Sequence, residues 1–261
     1  MSGASERDLR RARDGLAAAM AVLRRHAEHD VHVEWKDGGS PVTAADLEVD
    51  ALLRGALPER GDGWLSEESV DDELRLHCSR VWIVDPLDGT RAFAAGRSDY
   101  SVSIALVVDG EPALGAIGNP ATGVVVSGGP GLDLLVEGAP AIAWPGGEGA
   151  VSRPRVLASR SEMRRGEWRA VAEVADVFPV GSVAYKLALV AAGVADATWT
   201  LHPKHEWDVA AGAALLRAAG GEVWLPRGGR MVWNRSRPRF LSFAGARKGW
   251  RARVEGLVGG S

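Results

Sequence analysis

Val81-Trp82-Ile83-Val84-Asp85-Pro86-Leu87-Asp88-Gly89-Thr90 decides how this chain is read. Its first four residues are apolar and partly β-branched, the composition of a short buried strand. Pro86 lacks a backbone donor and fixes φ, so the strand is expected to stop there. Asp85 and Asp88 then share one tight loop, close enough to hold a cation together, and both offer the hard oxygens that magnesium prefers. Gly89 lets the backbone come close to a bound group. A helix starting near Thr90 would turn free N–H groups toward a phosphate. An isolated Asp-x-x-Asp-Gly run more often caps a helix or closes a turn, so the rest of the chain must weigh in.

Three further acidic positions flank this loop in sequence. Thr43 with Asp46 three residues on reads as a helix start. Glu67-Glu68 follows Trp64-Leu65, and Asp208 follows Trp207 at the head of a very apolar helix. Each has a plain reading of its own, as a cap or a solvated face. Their joint occurrence, in this order, favours one acidic site.

The periodicity predicts a helix from about Asp8 to His26 and a second from Thr43 through Leu53, stopping near Pro58. Tyr100 to Val107 and Ala113 to Ile117 read as a hairpin about Asp109-Gly110. Residues from about Gly128 to Pro154 are rich in Gly, Pro and Ala and place a subdomain junction. The expected division is 1–145, an N-terminal α+β subdomain carrying most acidic positions, and 146–261, a C-terminal α/β subdomain. In the second, Arg155 to Ser159 and Val194 to Thr200 read as strands. Glu162 to Ala175, Val183 to Ala192 and Val209 to Ala219 read as helices, the last stopping at Gly220-Gly221. Alternating strands and helices predict an α/β layer architecture.

The 261 residues are 46% hydrophobic and 25% charged, with a net charge of −3, and suit a globular domain rather than a binder of nucleic-acid polymers. Cys78 is the only cysteine, so a disulfide framework within the chain is excluded and a reducing compartment fits. Met1 to Arg13 is polar and charged, and no run is long enough to cross a bilayer. A cytoplasmic protein without membrane association is the expectation. The ten tryptophans are scattered and read as packing residues.

Asp85-Pro-Leu-Asp-Gly-Thr90 resembles the signature of the inositol monophosphatase superfamily, and Trp207-Asp208-Val-Ala-Ala-Gly212 resembles its second signature. Pro41-Val-Thr-Ala-Ala-Asp46 and Ser66-Glu67-Glu68 are similar to two further family motifs. The resemblance implies an αβαβα sandwich of two intimate subdomains with the site between them. It implies a phosphomonoesterase using two to three Mg2+ ions and inhibited by lithium. Glu67, Asp85 and the Leu87 carbonyl would hold one ion; Asp85, Asp88 and Asp208 a second; Glu67 would help hold a third. Asp46 and Thr90 would pair beside the attacking water, and the Gly89 and Thr90 N–H groups would hold the phosphate.

Within the superfamily, Gly181-Ser182-Val-Ala-Tyr-Lys186 and Val84–Phe93 are similar to the bacterial 3'(2'),5'-bisphosphate nucleotidases, as are Lys36 and Ser40–Thr43, although Ala92 stands where those proteins commonly carry glutamate. That implies 3'-phosphoadenosine 5'-phosphate as the small phosphorylated substrate. Gly181 and Ser182 would lie beside it and Lys186 would meet its second phosphate, or else Lys186 is a solvent-facing helix residue. His202, Lys204, His205 and Glu206 are candidates for the pocket mouth. Leu201 stands where inositol monophosphatases carry a hydroxyl-binding glutamate. Inositol, sugar or histidinol phosphates remain alternatives, as does a non-catalytic regulatory role. Monomer and homodimer both occur among such proteins.

Overall fold

Residues 3–28, 33–35, 41–140, 142 and 153–259 are described in a computed structural model of the chain. The expected subdomain boundary at 145/146 and the positions Lys36 and Ser40 lie outside them. In chain order the elements begin with α1 (Glu6–Ala27), β1 (Val33–Trp35), β2 (Pro41–Thr43) and α2 (Ala44–Ala56). Then come β3 (Gly63–Ser66), β4 (Arg80–Asp88), α3 (Thr90–Ala94), β5 (Ser101–Val108), β6 (Glu111–Gly118), β7 (Val125–Gly129) and β8 (Leu132–Glu137). The remainder holds β9 (Arg155–Ser159), α4 (Arg160–Arg164), α5 (Arg169–Val174), β10 (Asp176–Val180), α6 (Val183–Ala191) and β11 (Ala197–Thr200). It closes with β12 (Lys204–His205), α7 (Glu206–Ala218), β13 (Glu222–Trp224), β14 (Arg239–Phe240), β15 (Phe243–Ala246) and α8 (Arg251–Gly259).

Two sheets organise the molecule. One has six strands in the order β3-β4-β5-β6-β7-β8, and the other five in the order β10-β9-β11-β15-β13. In β4 the pleat sends Val81 and Ile83 into the core shared with α6 and α7, while Trp82 and Val84 enter the core shared with α1 and α2. A sheet covered on both faces needs apolar side chains on both, which is why this strand reads as a continuous apolar run. The pattern repeats in β9: Leu157 faces α6 and α7, whereas Val156 and Ala158 face Trp168, Val171 and Val254 on the outer side. The layers are therefore helix, sheet, helix, sheet, helix, as the αβαβα expectation has it, with α6 and α7 in the middle.

The structure corrects two local expectations. Pro86 does not end β4. Asp85 pairs with Ser103 and Asp88 with Ser101, so the strand carries one extra residue and then resumes pairing; a bulge tolerates proline because its N–H has no ladder partner to lose. The single helix expected over Glu162–Ala175 is two short ones, separated where Gly166 takes φ 81°, a left-handed conformation that ends α4.

Candidate active site

Four carboxylates converge because β3, β4 and the start of α7 meet at one place. Register sets the first two: β3 runs parallel to β4 with Ser66 opposite Val84, so Glu67 leaves its strand beside Asp85. The loop after β3 is fastened by Asp50 on α2, whose carboxylate accepts hydrogen bonds from the Ser66 hydroxyl at 2.5 Å and from the Ser69 hydroxyl. Asp88 arrives through the bulge. Asp208 arrives on α7, whose start is held to β5 by the Ser103 hydroxyl donating to the Trp207 carbonyl at 3.1 Å. Close packing fixes that helix in place: a Cβ on Gly115 would stand 2.2 Å from the Ala211 carbonyl oxygen, and one on Gly212 2.3 Å from Leu187 Cβ. Glycine at these two positions lets α7 lie directly on β6 and against α6.

Asp85, Asp88 and Asp208 each offer an oxygen within 4.8 Å of the others. Asp85 is 1% exposed; its Oδ1 accepts from the Leu87 N–H at 3.0 Å, and its Oδ2 is buried without a hydrogen-bond partner among the described residues. A buried carboxylate oxygen left unsatisfied costs about 1–3 kcal/mol or more, so this atom marks a missing positive partner. Burial, then the neighbouring Glu67, Asp88, Asp208 and Asp46, push the Asp85 carboxyl well above its usual range. Burial and Asp208 raise Asp88 to about 6, although the Ser182 hydroxyl and the Ala184 N–H, donating to its Oδ2 at 2.7 and 2.6 Å, and Lys186 work against the rise. Burial also raises Asp208, against Lys204, the His205 N–H and Lys186. Converging hard oxygens that resist ionising together suit a divalent cation.

Asp46 and Thr90 meet as expected. The Thr90 hydroxyl lies 3.3 Å from Asp46 Oδ1 and 3.1 Å from the Leu87 carbonyl oxygen. Asp46 is held by the Thr43 N–H and hydroxyl, at 2.8 and 2.6 Å from its Oδ2, so the helix start and the site use the same carboxylate. Glu67, Asp85, Leu87, Asp88, Gly89, Thr90, Gly181 and Asp208 all border one cavity of about 310 Å³.

Other expected residues lie elsewhere. Lys186 is not among those bordering the cavity; it is 2% exposed, and its Nζ sits 3.4 Å from the Val180 carbonyl oxygen. Ser182 is fully buried and acts on Asp88. Of the pocket-mouth candidates, Lys204 borders the cavity. His205 stacks on Trp207 with ring centroids 4.4 Å apart, His202 pairs with Glu167, and Glu206 is fully buried, accepting from the Asn234 and Arg235 N–H groups. Leu201 borders a separate cavity with Trp224 and Pro226.

Sequence reasoning missed Arg91, Arg97, Ser159, Arg160, Ser161 and Arg164, which border the same cavity. Arg91 and Arg97 lie in or just after α3, the rest at the β9–α4 junction. The available signal was the strand-to-helix turn Ser159-Arg160-Ser161, a junction of the kind that places side chains over a sheet end.

The family model described as the inositol monophosphatase family matches residues 6–252. A 3'-phosphoadenosine 5'-phosphate phosphatase of Mycobacterium tuberculosis is 36% identical over 211 residues, 78% of this chain and 74% of that one. An inositol-1-monophosphatase of Mycobacterium leprae is 34% identical over 201 residues, 72% and 69% of the two chains. Among solved structures, the extragenic suppressor protein suhB of Bartonella henselae superimposes with a TM-score of 0.77 at 25% identity, covering 95% of this chain and 97% of that one.

Proposed function

The chain belongs to the inositol monophosphatase family and is a phosphoric monoester hydrolase; from that premise we propose that it removes the 3'-phosphate of 3'-phosphoadenosine 5'-phosphate with magnesium. The observation that carries the chemistry is the unpartnered Oδ2 of Asp85 among carboxylates that cannot all ionise without a cation. The choice of substrate is supported by the relatives named for that activity, which match the chain at 36% identity.

Asp85, Asp88 and Asp208, with Glu67 and the Leu87 carbonyl beside them, would hold the metal. Divalent cations there supply charge neutralisation to the phosphoryl oxygens and acidify water. The protein's own part is placement. The Thr90 hydroxyl, already donating toward Asp46, has lone pairs that can accept from a water and so orient its oxygen toward phosphorus. A proton leaving that water would reach Thr90 Oγ1, whose own proton passes to Asp46 Oδ1. Gly89, at φ 101°, and Thr90 both border the cavity, and their N–H groups would meet the phosphate there. Attack by water in line with the leaving oxygen needs no covalent intermediate on the chain, and positioning with charge stabilisation carries most of the rate.

The test is phosphate release from 3'-phosphoadenosine 5'-phosphate and from inositol 1-phosphate, each with magnesium and with a chelator, by the wild type and by Asp85→Asn. Preference for the nucleotide and loss of at least a thousandfold in kcat on Asp85→Asn are expected. Preference for inositol 1-phosphate would replace the substrate and keep the site; full activity of Asp85→Asn, or in chelator, would remove the site.

A further inference from the structure

The cavity that the carboxylates border is also bordered by Arg91, Arg97, Arg160, Arg164 and Lys204, in a chain whose net charge is −3, so the cluster does not follow from an overall basic excess. Cations at the carboxylate end would serve the phosphate being cleaved, and the arginines are surplus to that task. Arg91 and Arg164 have neither a carboxylate nor a hydrogen-bonding partner among the described residues.

Arg160 differs from them in being anchored. Its Nε donates to Asp99 Oδ2, and Arg97 lies 3.4 Å from Asp99 Oδ1. Asp99 is buried, and its carbonyl accepts the Ser182 N–H at 3.1 Å. Gly181 packs against it so closely that a Cβ would stand 2.6 Å from Asp99 Oδ2. Ser182 also donates to Asp88 through its hydroxyl. One residue, Ser182, therefore holds both the Asp88 carboxylate and the anchor of Arg160, so that the spacing between that carboxylate and that guanidinium is fixed by packing. The terminal guanidinium nitrogens of Arg160 make no hydrogen bond among the described residues and are free to take a planar, bidentate anion.

We propose that Arg160, with Arg164 and Arg91, receives the second, uncleaved phosphate of a bisphosphorylated substrate, so that this rim and not Lys186 selects such substrates over monophosphates. The proposal rests on the phosphatase reading above. A substrate lacking the second phosphate leaves the guanidinium groups solvated and gains nothing from them; one carrying it trades water for charge-assisted hydrogen bonds in a site already in register.

The experiment compares 3'-phosphoadenosine 5'-phosphate with adenosine 3'-phosphate, which differ only in the second phosphate. The proteins are the wild type, Arg160→Gln, Arg164→Gln, their double variant and Arg160→Lys. The wild type is expected to prefer the bisphosphate at least tenfold in kcat/KM. The double variant should lose at least tenfold more on the bisphosphate than on the monophosphate, chiefly in KM. Inhibition by the product adenosine 5'-phosphate should weaken in parallel, with Arg160→Lys intermediate. Equal losses on both substrates, or no preference in the wild type, overturn the rim while leaving the phosphatase intact. A wild type that cleaves neither nucleotide but cleaves inositol 1-phosphate overturns the nucleotide reading and the rim with it.

Discussion

The Ser182 hydroxyl donates to Asp88 Oδ2 at 2.7 Å and at the same time accepts the Tyr185 N–H at 2.9 Å as the N-cap of α6. A carboxylate on the bulge of β4 is thereby locked to a helix nearly a hundred residues away in sequence. The lock holds Asp88 in its ionised form, since a hydrogen bond to a carboxylate favours the charged state. Ser182→Ala removes the cap and one donor to a buried carboxylate together. A loss of about 2–3 kcal/mol in folding stability at neutral pH follows. Asp88 should then titrate higher, so more magnesium is needed for half-maximal activity at pH 6 than at pH 8, by a wider margin than in the wild type. Urea unfolding and magnesium titrations at the two pH values measure this; a variant with wild-type stability and an unchanged margin would dismiss the lock.

Without divalent cations the carboxylate centre works against the fold. Asp88 titrates at about 6 in the folded protein against an ordinary value of 3.8. Between those values the folded state holds a proton that the unfolded chain has released, so stability falls as pH rises through this window. The fall from Asp88 levels off above pH 6 at about 3 kcal/mol, and Asp85 acts in the same direction. His205, lowered by burial and by Arg239 and Lys204, acts in the opposite sense, so the clean measurement is a difference. In chelator, the stability gap between Asp88→Asn and the wild type should widen by about 2 kcal/mol from pH 4.5 to 7.5. Saturating magnesium should close most of it by stabilising the wild type above pH 6. A gap that stays flat with pH would mean that Asp88 is not held above its ordinary range.

Much of this candidate site is legible along the chain, because a metal centre of the kind proposed would need particular oxygens at particular strand ends. Asp85, Asp88, Glu67 and Asp208 stand in short runs whose neighbours state their purpose: an apolar strand before, a glycine or an apolar helix after. The arginine rim has no such syntax. Arg91 and Arg160 come from different layers, and nothing in their spacing says that they share a cavity. The break in the helix expected over Glu162–Ala175 was equally hidden, since Gly166 is tolerated inside a helix and only its φ of 81° reveals the turn. Lys186 could have been read better. Val183 to Ala191 is apolar on every side, and such a helix is buried all round; every one of its residues is buried, so its lysine was never going to face solvent.

That burial decides what Lys186 does. Its ammonium is lowered to about 8 by burial and by Lys204, against the pull of Asp88, Glu162 and Asp208. At neutral pH the folded protein therefore carries a charged lysine that it would sooner hold neutral, at a cost of about 3 kcal/mol. Methionine fills similar space without the charge, so Lys186→Met should raise folding stability in chelator by about 1–3 kcal/mol. What is lost is the field under the carboxylates: Asp88 and Asp208 should titrate higher, and the acid limb of kcat/KM should move to higher pH. Because Lys186 does not border the cavity, the limb should move equally for 3'-phosphoadenosine 5'-phosphate and adenosine 3'-phosphate, and the preference between them at pH 8 should stay within about twofold of the wild type, well under the 1.4 kcal/mol that a tenfold change represents. A selective loss on the bisphosphate would instead bring Lys186 to the second phosphate, and an acid limb that does not move would strip it of any role in keeping the carboxylates ionised.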